Sequence, residues 1–146
     1  MRIFIQRSNN SKVLVDNKIT GEIAFGLVVL VGFTHTDTIK EIESLTKKLV
    51  NLRIFDDENH IMNKSILDVK GDILSISQFT LYADCKKGNR PSYGLAMKSD
   101  EAIKLYELFN EEIKKYNIKV ETGIFGADMN VLIANDGPVS IWLESE

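Results

Sequence analysis

Residues 75–84, SISQFTLYAD, set three hydrogen-bonding side chains, Ser77, Gln78 and Thr80, into four positions of a run built otherwise from strand-favouring residues. In a strand, successive side chains alternate between faces, so Gln78 and Thr80 share one face while Ser77 and Phe79 share the other. Both faces then carry polar groups, including the one that should pack. Ser77 or Thr80 offers a hydroxyl nucleophile, but a hydroxyl needs a positioned base. The two histidines, His35 in FTHTDT and His60 in DDENH, lie in polar segments with no neighbouring partner of the expected kind. Such histidines are usually solvated surface groups.

Other chemistries fare no better on side chains alone. There is no His-x-x-x-His pair and no cluster of His and Cys, and Asp56, Asp57 and Glu58 read as a solvated charge run, so no metal site is expected. Neither a phosphate-cradling G-x-x-x-x-G-K-[ST] loop nor G-x-G-x-x-G occurs. No cofactor is expected. CKKGNRPSYG, 85–94, groups Lys86, Lys87 and Arg90 around a Gly-Asn turn without an acid. By composition it is a solvated loop, with phosphate contact as the sharper alternative. NDGPVS, 135–140, is turn chemistry and predicts a tight hairpin. Yet Gly137 cannot block close approach, and Pro138 lacks an N–H and tolerates a cis bond at modest cost, so the turn can also present bare carbonyl oxygens.

The elements that must position these residues follow from patterning. The 146 residues suit one domain over 1–146, with 44% hydrophobic and 27% charged residues. No apolar run approaches a membrane span, and MRIFIQRSNN lacks the apolar core and cleavage site of a signal peptide, which predicts a cytoplasmic protein without a membrane partner. The single cysteine, Cys85, excludes an intrachain disulfide. A net charge of −3 argues against a broad nucleic-acid binder, and no DNA partner is expected.

RIFIQR (2–7) and KVLVD (12–16) read as a strand pair joined by a polar SNNS turn, with a second reversal at Asp16-Asn17 before KITGEI. LVVLVGF (27–33) reads as a central strand covered on both faces. A helix follows, with Ile39, Ile42, Leu45, Leu49 and Leu52 on one side and a capping box from Thr38 to Glu41. Residues 56–70 are irregular, and SISQFTLYAD is the next strand. A second helix, 99–116, lines up Ala102, Tyr106, Phe109, Ile113 and Tyr116, and three strands, IKVETGIF, DMNVLIAN and VSIWLES, finish the chain. The fold class is α+β: a single domain of largely antiparallel sheets with two packed helices, in the order ββ-βα-βα-βββ.

SQFTLYAD, KGNRPS, ETGIFGADM and NDGPVS, in this order, closely resemble the D-aminoacyl-tRNA deacylase family, as do MRIFIQR and NLRIFDDENHIMNKSILDVKGD. The resemblance runs essentially end to end. It departs at Ser140, where the family more often has threonine, which keeps the hydroxyl. The resemblance implies a homodimeric trans-editing hydrolase that cleaves the ester between a D-amino acid and tRNA. It also implies that the Gly137-Pro138 bond is cis and enters the partner's active site, and that Arg7 steadies it; with tRNA as the substrate, the basic loop's Lys86, Lys87 and Arg90 become the candidate tRNA contacts. Arg7 otherwise reads as a strand-end surface charge.

On that reading the polar interruption is the catalytic site. Ester hydrolysis needs water at the carbonyl and donors aimed at the oxygen that becomes negative. Backbone N–H groups near Phe79 and Thr80 can donate if the strand's edge is open, while Ser77 and Gln78 hold the geometry and the resemblance implicates the ribose 2′-hydroxyl in activating water. D and L residues carry the same groups, so a rigid obstacle at Gly137 and Pro138 separates them better than added attraction does. Glycine should escape rejection, making glycyl-tRNA a further substrate. The rivals are a tRNA-binding module of the same fold without turnover, and a dimeric scaffold whose Gly-Pro is only a hairpin.

Overall fold

The computed structural model describes residues 1–145. Its backbone is one long hairpin: strand β1, Arg2–Val15, turns at Asp16 and Asn17 and returns as β2, Lys18–Gly32. Both turn residues have positive φ, 49° and 61°, the geometry of a tight two-residue hairpin. The expected SNNS turn is absent. Ser8 and Ser11 are fully buried and hydrogen-bond each other through their hydroxyls, while Asn10 takes a φ of 53°. Residues that usually make turns are thus absorbed as an irregularity within a continuous strand.

Helix α1, Ile39–Asn51, starts at the expected capping box, with Thr38 and Glu41 bonded reciprocally. Its inner face is Ile42, Leu45, Thr46, Leu49 and Val50; Ile39, assigned to that face by spacing, is 55% exposed because it begins the first turn. The irregular segment contains a small hairpin, β3 (Phe55–Asp56) with β4 (Met62–Lys64), and a short helix α2, Ile66–Val69. Strand β5, Asp72–Ser77, then runs parallel to β2. Helix α3, Ser99–Lys114, buries Tyr106, Phe109 and Ile113. Strands β6 (Val120–Thr122), β7 (Asn130–Leu132) and β8 (Asn135–Glu144) complete the order.

The class is α+β, as expected, with a mixed sheet. The order is β6-β5-β2-β1-β7, β8 also lies against β1, and the β2–β5 and β5–β6 pairs are parallel. Two helices pack on one face, the short α2 being a third. Ile3, Ile5, Leu27, Val29, Val31 and Ile73 meet α1 and α3 there. Val13, Ile23, Val28, Leu74 and Ile76 form a second cluster, so β2 is covered on both faces as its apolar run predicts. Where β2 swings onto β5, Gly26 has φ 145°, and a Cβ there would lie 1.9 Å from the Asp72 carbonyl oxygen. Only glycine fits.

Candidate active site

The strand expected over SISQFTLYAD ends at Ser77. The Gln78 N–H makes the last ladder bond, to Val31 O at 2.7 Å, and Phe79–Tyr82 coil into a single 3-10 turn. The alternation of faces proposed for Ser77 to Thr80 therefore does not hold. Leu81 N–H turns back onto Gln78 O at 3.2 Å, which leaves the N–H groups of Phe79 and Thr80 ahead of the first bond of the turn. Gly32 permits this geometry: a Cβ on it would stand 2.8 Å from Gln78 O and 3.3 Å from the Leu81 Cβ.

A cleft of about 520 Å³ opens at this strand end. Its lining includes Ser77, Gln78 and Phe79, Gly32 and Phe33 from β2 and the residue after it, Met97 and Ala102, and residues 125–129. Its lining is largely apolar with a few polar groups, the usual character of a small-ligand site. Thr80 is not on the wall. Its hydroxyl accepts a hydrogen bond from the Gln78 side-chain amide, so both side chains are occupied in holding the turn. Phe79 is 56% exposed and meets Tyr93 edge to face, with centroids 5.1 Å apart.

That contact brings the basic loop to the rim. Asp84 and Ser92 exchange backbone hydrogen bonds of 2.8 and 2.9 Å, closing a loop whose tip carries Lys86, Lys87 and Arg90, all exposed and, among the described residues, without an acidic partner. Tyr93, Met97, Phe125 and Gly32 were missed as individual site residues by sequence reasoning. The ETGIFGADM stretch carried a signal for Phe125 and the CKKGNRPSYG stretch one for Tyr93; Met97 and Gly32 had none.

The predicted hairpin at NDGPVS is replaced by a bulge. β7 and β8 run in the same direction along β1, and between the pairs Ser8↔Asn135 and Gln6↔Ser140 four residues, Asp136 to Val139, stand opposite Arg7 alone. The Gly137–Pro138 peptide bond is cis, and both residues are exposed. A Cβ on Gly137 would lie 2.0 Å from the Val139 nitrogen, so no other residue keeps this path. The Asn135 amide ties the base of the bulge, donating to Arg7 O and Val139 O at 3.0 Å each.

Arg7 is mid-strand, not at a strand end, and its side chain is only 11% exposed. Its Nε donates to Asp136 O at 3.2 Å and lies 3.1 Å from the Asp136 carboxylate, while Nη1 reaches Ile54 O at 2.9 Å and Asp56 at 3.3 Å. The bulge and the cleft of one chain do not meet. Four residues of β2 separate the Arg7↔Leu27 pair from Val31↔Ser77, and three strand spacings lie between β8 and β5, which puts the two about 19 Å apart.

Residues 4–144 match the D-Tyr-tRNA(Tyr) deacylase family model. The chain is 56% identical to a D-aminoacyl-tRNA deacylase of Bacillus cytotoxicus and 54% identical to one of Bacillus cereus strain B4264, each over 146 residues and the whole of both chains. Among solved structures it superposes on a c-Myc DNA unwinding element binding protein with a TM-score of 0.94 at 40% identity, covering 100% of this chain and 99% of the other. A probable eukaryotic D-amino acid tRNA deacylase shares the fold, with a TM-score of 0.83 at 18% identity and 97% of each chain covered. With its motifs in place along the whole length, this chain belongs to the D-Tyr-tRNA(Tyr) deacylase family.

Proposed function

We propose that this chain is a D-aminoacyl-tRNA deacylase, one domain over 1–146 that hydrolyses the ester joining a D-amino acid to tRNA and also clears glycyl-tRNA. The observation that carries the reading is the cleft at the end of β5, where Ser77, Gln78 and Phe79 line the wall and the N–H groups of Phe79 and Thr80 precede the first bond of the 3-10 turn. Water adds to the ester carbonyl carbon, the carbonyl oxygen takes up negative charge against those N–H groups, and the bond to the ribose oxygen breaks. The ribose oxygen leaves with a proton, giving tRNA and a free amino acid. The vicinal 2′-hydroxyl orients the water, and neither a metal nor a cofactor takes part. Ser77 and Gln78 shape the cleft.

Selectivity comes from a second copy of the chain. The separation of about 19 Å between bulge and cleft in one chain supports a reading in which the Gly137 and Pro138 carbonyl oxygens guard a partner's cleft rather than their own, with Arg7 holding the motif upright. The dimer forms through the part of the sheet face opposite α1 and α3 that is only partly covered, where Phe4, Leu30 and Trp142 stand in register, Phe4 and Leu30 are half-buried and Trp142 is 45% exposed. Lys86, Lys87 and Arg90 hold the tRNA backbone at the rim. The reaction belongs in the cytoplasm; no described helix is long and apolar enough to cross a membrane.

The test is release of free tyrosine from D-Tyr-tRNA and L-Tyr-tRNA, with binding of tRNA and of duplex DNA measured alongside. Rapid release from the D ester only, with tRNA preferred over DNA, is expected. Binding of tRNA without release of D-tyrosine would make the chain a binding module instead.

A further inference from the structure

Arg2 begins β1 outside the cleft, yet its guanidinium is held on three sides. Nη1 donates to Leu81 O at 2.9 Å, Nε donates to Glu144 at 2.6 Å, and the cation stands 4.3 Å from the centroid of the Tyr82 ring and 5.7 Å from that of Trp142. Leu81 and Tyr82 form the second half of the 3-10 turn that begins with Phe79 and Thr80. A single such turn holds itself weakly, because its hydrogen bonds are few and poorly aligned. Its direction must be set from outside. At the front, Gln78 N–H is fastened to Val31 O; at the back, Arg2 is the side chain that grips the backbone.

The chemistry of that grip favours arginine. A planar fork donates to a carbonyl and a carboxylate at once while its face lies on an aromatic ring, which a lysine cannot do. The Glu144 pair is a weak reason for the arrangement, since that carboxylate side chain is 45% exposed and exposed ion pairs contribute little. Tyr82 is buried, and burial raises its hydroxyl well above the ordinary tyrosine value, so its ring stays neutral beneath the cation.

We propose that Arg2 is a positioning residue for the deacylation: by clamping Leu81 and Tyr82 to β1 and β8, it fixes the direction in which the Phe79 and Thr80 N–H groups point. The inference rests on the deacylase reading above. Arg2 touches neither ester nor ribose, and its effect passes through the turn.

The experiment compares wild type, Arg2→Lys and Arg2→Gln in D-Tyr-tRNA hydrolysis, with hydrogen exchange of the amides in 78–83 followed in the same proteins. Misplacing catalytic donors by an ångström costs about a hundredfold in rate, so Arg2→Gln should lower kcat by about ten- to a hundredfold with KM within about twofold. Arg2→Lys should fall between it and wild type. Exchange at 78–83 should quicken while the β1–β2 hairpin stays protected. Wild-type kcat in Arg2→Gln, or a loss matched by faster exchange through the whole sheet, would overturn the proposal. Should Arg2→Gln fail to fold, Arg2→Lys decides alone: lower kcat at constant KM supports it, and wild-type kcat overturns it. If wild type itself releases no D-tyrosine, the deacylase reading fails, and the exchange comparison still shows whether Arg2 holds the turn.

Discussion

Arg7 and Asp136 meet twice across the bulge, once through the carbonyl oxygen at 3.2 Å and once through the carboxylate at 3.1 Å. A single side chain on β1 therefore fixes both the backbone and the side chain of the residue before Gly137. Arg7→Ala should leave the D-Tyr-tRNA rate within about threefold and raise L-Tyr-tRNA hydrolysis by about tenfold or more, a change of roughly 1.4 kcal/mol or more in relative barrier. Removing it also strands Ile54 O and Asp136, at a cost of about 1–3 kcal/mol in denaturant unfolding. Unchanged discrimination in the folded variant would free Arg7 from this role.

The cross-subunit arrangement can be tested in mixed dimers. One protomer carries Phe79→Pro, which deletes an N–H at a position where a helix tolerates proline; the other carries Gly137→Ala with Pro138→Ala. The sole competent cleft then faces the intact motif of the other chain and should reject L-Tyr-tRNA as wild type does. If the motif guards its own chain, discrimination should fall to that of the Gly137, Pro138 double-variant homodimer, by about a hundredfold for a clash of roughly 2.7 kcal/mol.

Neutralising Lys86, Lys87 and Arg90 together should weaken tRNA binding and lower the slope of log K against log salt by about two to three units, near one per lost phosphate contact. Equilibrium binding over a salt series reads this directly. A short aminoacylated mimic should be affected less, because it lacks most of the backbone.

The Thr80 hydroxyl is engaged by the Gln78 side-chain amide, so on the proposed reading Thr80 contributes its backbone N–H. Thr80→Ala should therefore reduce kcat by less than the roughly 10²–10³-fold that follows loss of an oxyanion donor. Complete loss in a folded dimer would identify a nucleophilic hydroxyl.

Acid should act first on carboxylates that serve as fastenings. Hydrogen bonds from Thr38 hold Glu41 below its ordinary value of 4.5, and the Arg2 hydrogen bond does the same for Glu144. A lowered folded-state pKa contributes stability that is present above the unfolded value and lost as pH falls through the folded one. Thermal midpoints should hold steady from pH 8 to about 5 and then fall with acid. Glu41→Gln should flatten part of that fall.

Periodicity made both long helices legible in advance, cap and turn chemistry the Thr38–Glu41 box and the Asp16-Asn17 reversal, and the continuous apolar run of 27–33 the central strand. Three segments were misread for one reason. SNNS, QFTL and NDGP have the composition of turns or of a continuing strand, whereas the chain uses them as local irregularities fixed by distant partners: Ser11 by Ala134, Gln78 by Val31, Asp136 by Arg7. Composition records what a segment can do alone. The polar interruption did mark the cleft, but its lining from 125–129 and its back clamp at Arg2 come from chain segments far apart in sequence.

Among the described residues strand β8 pairs with β1 on one side only, which leaves its other side an open row of backbone donors and acceptors. Such an edge invites another chain to add a strand, the first step of aggregation. The four residues from Asp136 to Val139 break the row, Pro138 offers no N–H, and the Asp136 carboxylate places charge beside the break. The same bulge that is proposed to guard a neighbouring cleft should thus keep an exposed sheet edge from growing.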